Sequence, residues 1–183
     1  LCRGRLPGCV MAIDGLVVET RQPFPEEVEG NVVAFRNRKG FWGVIVLAGC
    51  DSRGKFIMFT QKCSGGTNDC TAWEVTEVYD AIVNQGLLPD QFYIVGDEAF
   101  VATEQVLTPW SGTHLNVWRD SFNYHLSAQR QVIERAFGMM IARFGVLWRP
   151  LRTAFSRWSL ILVVCAKVHN MLVKRNILPT ALY

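Results

Sequence analysis

Two short apolar runs, each closed by an aspartate, constrain this chain more than any other feature. Cys9-Val10-Met11-Ala12-Ile13 leads into Asp14-Gly15, and Phe92-Tyr93-Ile94-Val95-Gly96 leads into Asp97. Both read as buried strands that end in a carboxylate. A third acid, Glu134, lies inside Ser127–Gly138, a segment that reads as an amphipathic helix. Acids at the ends of two strands and on a later helix can converge at one edge of a sheet. Such a cluster suits hard divalent cations, and Mg²⁺ favours oxygen ligands and phosphate substrates. With no cation the three carboxylates would repel, and at least one would take up a proton. The pattern therefore points to a metal site for phosphoryl-transfer chemistry.

The chain has 183 residues, half of them apolar, which fits one domain with a sizeable core. It opens at Leu1, close to its first strand, and so reads as a domain excised from something longer. No signal-peptide pattern is visible. The run Leu160–Ala166 is interrupted by Lys167 and is far shorter than the roughly 20 residues a membrane helix needs. No membrane partner is expected. The cysteines (Cys2, Cys9, Cys50, Cys63, Cys70 and Cys165) form no CxxC pair, and most sit in apolar segments. They read as reduced thiols rather than a disulfide framework.

Charge divides the chain. Residues 1–118 hold 9 Lys/Arg against 14 Asp/Glu, whereas residues 119–183 hold 10 against 2. The basic third is mostly arginine, whose fork matches phosphate geometry. An acidic half beside a basic half suits a polyanionic substrate such as DNA, although a solvated helix face would look the same.

Along the chain, residues 8–20 predict a strand kinked at Gly15. Residues 21–40 predict a surface loop with a basic cluster at Arg36, Arg38 and Lys39. Phe41–Cys50 and Lys55–Gln61 predict a hairpin about Asp51-Ser52-Arg53-Gly54. Thr71 and Glu74 suggest a capping box opening a helix that Gly86 ends. A strand at 92–95, a short helix or turn at 101–107 and a further strand at 114–118 follow. Ser127 is the expected cap of a long helix to about Leu147, with Ile133, Phe137, Met140, Phe144 and Leu147 on one stripe. A last helix starts at Ser156 or Ser159. If the first and fourth strands are adjacent and parallel, Asp14 and Asp97 lie side by side at the edge where such sheets bind ligands. Glu134 falls one step off the apolar stripe of its helix and could reach that edge. The expected fold is α/β, a ribonuclease H-like mixed sheet flanked by helices.

Over nearly its whole length the chain resembles the catalytic domain of PIF/Harbinger-type DDE transposases. Ile13-Asp14-Gly15 is similar to the first-Asp motif, and Arg36-Asn37-Arg38-Lys39-Gly40 to the NRKG block. Gly65-Gly66-Thr67-Asn68-Asp69 resembles the G-s-x-x-D loop. Val95 to Phe100 with Leu107-Thr108-Pro109-Trp110 resembles the second-Asp region. Glu134-Arg135-Ala136-Phe137-Gly138 with Arg143-Phe144 resembles the third-acid helix, and Val168-His169-Asn170 the terminal LHN. These pieces occur in the family's order.

The resemblance implies a single catalytic domain over residues 1–183, without the upstream helix-turn-helix region usual in the family. It implies Asp14, Asp97 and Glu134 as catalytic triad and metal ligands for two Mg²⁺ (or Mn²⁺) ions. It implies transposon-end and target double-stranded DNA as substrate, a nuclear location and a Myb-like partner protein, and allows a homo-oligomer. Arg36, Arg38, Lys39, Arg130 and Arg135 are the expected phosphate contacts. Other readings stay open at this stage. Asp14 and Asp97 could be turn formers, Glu134 half of an Arg130–Glu134 helical pair, and Asp69 a turn residue or an accessory group near the substrate. The whole could also be a domesticated, non-catalytic module on the same fold that binds DNA or protein.

Overall fold

The computed structural model describes residues 6–178. Five strands, β1 (Cys9–Glu19), β2 (Gly43–Cys50), β3 (Phe56–Ser64), β4 (Tyr93–Val95) and β5 (Val106–Leu107), form one sheet in the order β3-β2-β1-β4-β5. The helices are α1 (Asp69–Glu74), α2 (Glu77–Tyr79), α3 (Val117–Arg143) and α4 (Trp158–Lys174). The β1–β2 and β2–β3 pairs are antiparallel, and the β1–β4 and β4–β5 pairs are parallel. This is the mixed sheet with flanking helices that the sequence predicts.

Strand β2 is apolar throughout because it is buried along its whole length. Its alternate residues Val44, Val46, Ala48 and Cys50 face a core shared with α3 and α4. Leu47 faces the opposite core, which contains Trp73 of α1 and Ile82. The inner face of α4 follows a helical period through Trp158, Leu162, Cys165, Ala166 and His169. Helix α3 buries Leu126, Val132, Ile133, Ala136, Phe137 and Met140 across the sheet.

Several elements differ from the sequence expectation, each for a local reason. Strand β1 runs unbroken through Gly15, so Asp14 sits within the strand rather than at its end. The helix expected from Thr71 starts at Asp69 because Asn68 is the cap, its side chain accepting from the Thr71 N–H. That helix breaks at Val75, which is exposed, and restarts on the Thr76 cap before one π-type turn over Asp80–Asn84. Gly86 does end the segment in the left-handed conformation, φ +65°. Residues 106–107 are strand, since their backbone completes the edge of the sheet beside β4. The segment expected as a strand at 114–118 instead opens α3, with Asn116 as cap. Ser127 is therefore inside α3, and the cap lies eleven residues earlier than the sequence suggests. Cys9, Cys50, Cys63, Cys70 and Cys165 form no disulfide among the described residues; Cys2 lies outside them. Among the described residues no helix is long and apolar enough to cross a membrane.

The terminal Val168-His169-Asn170 motif fastens α4 to the hairpin. His169 is fully buried, as its place on an apolar helix predicts. Its Nε2 lies 2.9 Å from the Gly54 carbonyl and its Nδ1 2.9 Å from Arg143 Nη1. Arg143 can only donate, so Nδ1 accepts and Nε2 carries the proton to Gly54. Burial above all, with the adjacent Arg143 charge, holds the imidazole below its ordinary pKa, while the Gly54 bond opposes them. Asn170 accepts from the Phe56 N–H at 2.8 Å and donates to the Phe56 carbonyl at 2.7 Å, as a neighbouring strand would. Asn170→Ala removes both bonds and leaves two backbone groups at a largely buried position without partners. It should destabilise the fold by about 1–3 kcal/mol, read as a lower urea midpoint at unchanged slope.

Candidate metal centre

The parallel pairing of β1 with β4 sets the geometry. Ala12 is opposite Val95, so two residues further along Asp14, still within β1, and Asp97, just past β4, stand at the same level. Asp97 lies just past β4, where its Oδ1 accepts from the Ala99 N–H at 2.9 Å and shapes a tight turn. Asp14 Oδ1 accepts from the Gly15 N–H at 2.9 Å. A third acid joins them. Asp69, the first residue of α1, places a carboxylate oxygen so that one oxygen each from Asp14, Asp69 and Asp97 lie within 4.8 Å of one another. All three residues are half-buried.

Crowding and burial leave their mark on these acids. Burial, the largest cause, pushes Asp14 up from 3.8 to about 6, and the charges of Asp97 and Asp69 push the same way. The Gly15 N–H and the Arg130 guanidinium oppose the rise. Asp69 is raised as well, by burial first and then by Asp97, while Arg38 opposes. Like-charged carboxylates held this close without a cation favour proton uptake. Three oxygen donors at this spacing fit a hard divalent cation, which would relieve the repulsion.

Glu134 sits apart from this group of three. It is exposed on α3, one turn after Arg130, whose Nη1 lies 2.7 Å from Glu134 Oε1 and 3.7 Å from Asp14 Oδ2. The guanidinium thus stands between the first acid and the helical acid. The i,i+4 pair weighed from the sequence is present, and through it Glu134 is one side chain removed from Asp14. Arg135 is exposed on the same helix, and Glu98 is exposed beside Asp97.

The basic loop is tied to the site. Arg36, Arg38 and Lys39 are all exposed. Asn37 between them donates to the Gly65 carbonyl at 3.2 Å, and the Gly66 N–H donates to the Ala34 carbonyl at 2.9 Å. These two bonds tie the basic loop to the Gly65-Gly66-Thr67-Asn68-Asp69 loop. An open groove between them is lined by Asn31, Ala34, Arg36, Ser64, Gly66 and Thr67. Arg38 is near enough for its charge to lower the pKa of Asp69.

Asp69 is the site residue that the sequence reading gave least weight. The sequence signal that could have found it is the Gly65-Gly66 loop that precedes it.

A strand-held cluster of acids on a mixed sheet defines a class, and comparison with known families names it. The model described as DDE superfamily endonuclease matches residues 13–170, and the chain belongs to that family. This bears out the resemblance to PIF/Harbinger-type DDE transposases. Among curated relatives, the human protein named "Putative nuclease HARBI1" is 25% identical over 179 residues, covering 91% of this chain and 46% of its own length. The Arabidopsis thaliana protein named "Protein ALP1-like" is 26% identical over 183 residues, covering 92% of this chain and 44% of its own. The chain thus spans about half the length of the curated relatives it matches. No solved structure shows a significant match.

The raised Asp14 pKa has a definite sign. The folded state holds this proton more tightly than the unfolded state, so ionising Asp14 costs folding stability. In chelator, its contribution should fall as pH rises from about 4 through about 6. Melting curves across that range should show the decline in the parent and lose this part of it in Asp14→Asn.

Proposed function

We propose that this chain is a DDE-type transposase or endonuclease domain that cleaves and joins DNA phosphodiesters, with residues 1–183 as one catalytic domain. The observation that carries the reading is the level placement of Asp14 and Asp97 by the parallel β1–β4 pair, within a chain of the DDE endonuclease family. The strand order β3-β2-β1-β4-β5, with only β2 antiparallel to its neighbours, supports a ribonuclease H-like fold.

Asp14, Asp97 and Glu134 are the proposed catalytic and metal-binding residues. The chemistry that two bound Mg²⁺ (or Mn²⁺) ions supply is activation of water, or later a 3′-hydroxyl, and stabilisation of the leaving oxygen in an in-line displacement. The protein's own contribution is to hold its carboxylates at fixed separation on a rigid sheet edge. Asp14 and Asp97 keep one oxygen each bound to a backbone N–H, which fixes their orientation. Arg130 reaches both Asp14 and Glu134, and can exchange a carboxylate for a phosphate oxygen when the site fills. Arg135 extends that basic row along α3. Arg36, Arg38 and Lys39 grip the phosphate backbone of double-stranded DNA, transposon ends and target alike, on the side of Asp69. A nuclear location, a Myb-like partner that supplies sequence recognition, and a homo-oligomer complete the proposal.

The test combines metal binding with plasmid nicking. The parent should bind Mg²⁺ or Mn²⁺ and nick supercoiled DNA. Asp97→Asn should lose both, with nicking down by more than about 100-fold, beyond what loss of an outer-shell partner costs. Binding of DNA without metal uptake or nicking would instead favour a non-catalytic module, a state in which the Arg130–Glu134 ion pair is permanent.

The basic loop gives a separate prediction. Arg38→Ala should weaken binding of duplexes of any sequence. It should also lower the slope of log affinity against log salt by about 1, read by fluorescence anisotropy over a salt series.

A further inference from the structure

We infer that Asp69 is a member of the metal centre, a carboxylate ligand beside Asp14 and Asp97 at the sheet edge. This rests on the metal-dependent reading above and adds a residue that the triad does not include.

Three observations carry it. The first is position: an Asp69 oxygen lies within 4.8 Å of oxygens from both strand acids, whereas Glu134 is outside this group. The second is its lack of a partner. Among the described residues, no hydrogen bond or close ion pair to the Asp69 carboxylate occurs, Arg38 acting on it only at longer range, although the residue is half-buried. The other acids in comparable positions are satisfied: Asp14 by Gly15 and Arg130, Asp97 by Ala99, and Asp51 by Arg53 and Lys55. A partly desolvated carboxylate without a donor is costly unless a ligand compensates it. Helix capping does not explain the residue, because Asn68 already caps α1.

The third observation is Gly15. Its φ is not among the positive ones, so the backbone there does not require glycine. Glycine inside a strand weakens it and marks a close approach. What approaches is Asp69: a Cβ at position 15 would lie 1.9 Å from Asp69 Oδ1 and 2.6 Å from its Cγ. The glycine after the first catalytic acid is thus the space that lets Asp69 reach the site. The Gly66–Ala34 and Asn37–Gly65 bonds hold the loop that delivers it.

The experiment measures Mn²⁺ affinity by calorimetry for the full chain and for Asp97→Asn, Asp69→Asn and Gly15→Ala, with thermal melting in chelator and in Mn²⁺. Asp69→Asn should bind Mn²⁺ about 10- to 100-fold more weakly, at least what loss of an outer-shell partner costs. Gly15→Ala should do the same without changing any charge, by displacing the carboxylate. In chelator, Asp69→Asn should melt higher than the parent, because one of three crowded charges is gone, and its Mn²⁺-induced rise should shrink. A merely structural Asp69 would move the chelator melting point down. That result, or Mn²⁺ affinity equal to the parent while Asp97→Asn loses it, overturns the inference and leaves the broader reading intact. Equal affinity in the parent and Asp97→Asn overturns both. If Gly15→Ala does not fold, Asp69→Asn carries the test alone.

Discussion

The site depends on the parallel hydrogen bonding of β1 with β4. Side chains alternate along a strand, so the register of one pair decides which residues share a face and a level. With Ala12 opposite Val95, Asp14 and Asp97 are brought together although 82 residues separate them in the chain. The rest of the fold serves that pair. Strand β2, buried on both faces, anchors β1 from the other side, and α3 lies across the sheet with Arg130 and Glu134 beside its buried stripe.

Holding acids this close works against folding, and the protein offsets the cost in ways that stop short of neutralising the site. Asp14 and Asp97 each receive a backbone N–H, and Arg130 stands at 3.7 Å from Asp14, near enough to moderate its charge but longer than a close ion pair. Asp69 receives no donor from the described residues. The site is thus poised with a residual demand for positive charge. Stability for holding it comes from the two apolar cores and from the His169–Asn170 clamp on the hairpin.

Most of the fold was legible in the chain because it follows from local apolar patterning. The strands around Asp14 and Asp97, the hairpin about Gly54, and the stripe through Ile133, Phe137 and Met140 all appear where the pattern places them. The misjudged elements are those whose identity comes from neighbours. Two residues, Val106 and Leu107, are strand only because β4 lies alongside them. Residues 117–126 are helix because Asn116 caps them and Leu126 finds the core, yet most of that exposed stretch lacks a stripe. Glycine's usual role in a strand predicts a kink at Gly15, but the glycine there makes room for a side chain from another element.

By itself, the sequence determined the strand acids, the first four strands and, through its motifs, the family. Those are properties of residue identity and short-range spacing. Only the tertiary structure decided which acids meet. Asp69 enters the group of three through a loop tethered to another loop, and Glu134 turns to Arg130 instead. Such choices depend on distances of a few ångströms between segments remote in sequence. A carboxylate carries no mark of which cation it will face; the packing around it supplies that.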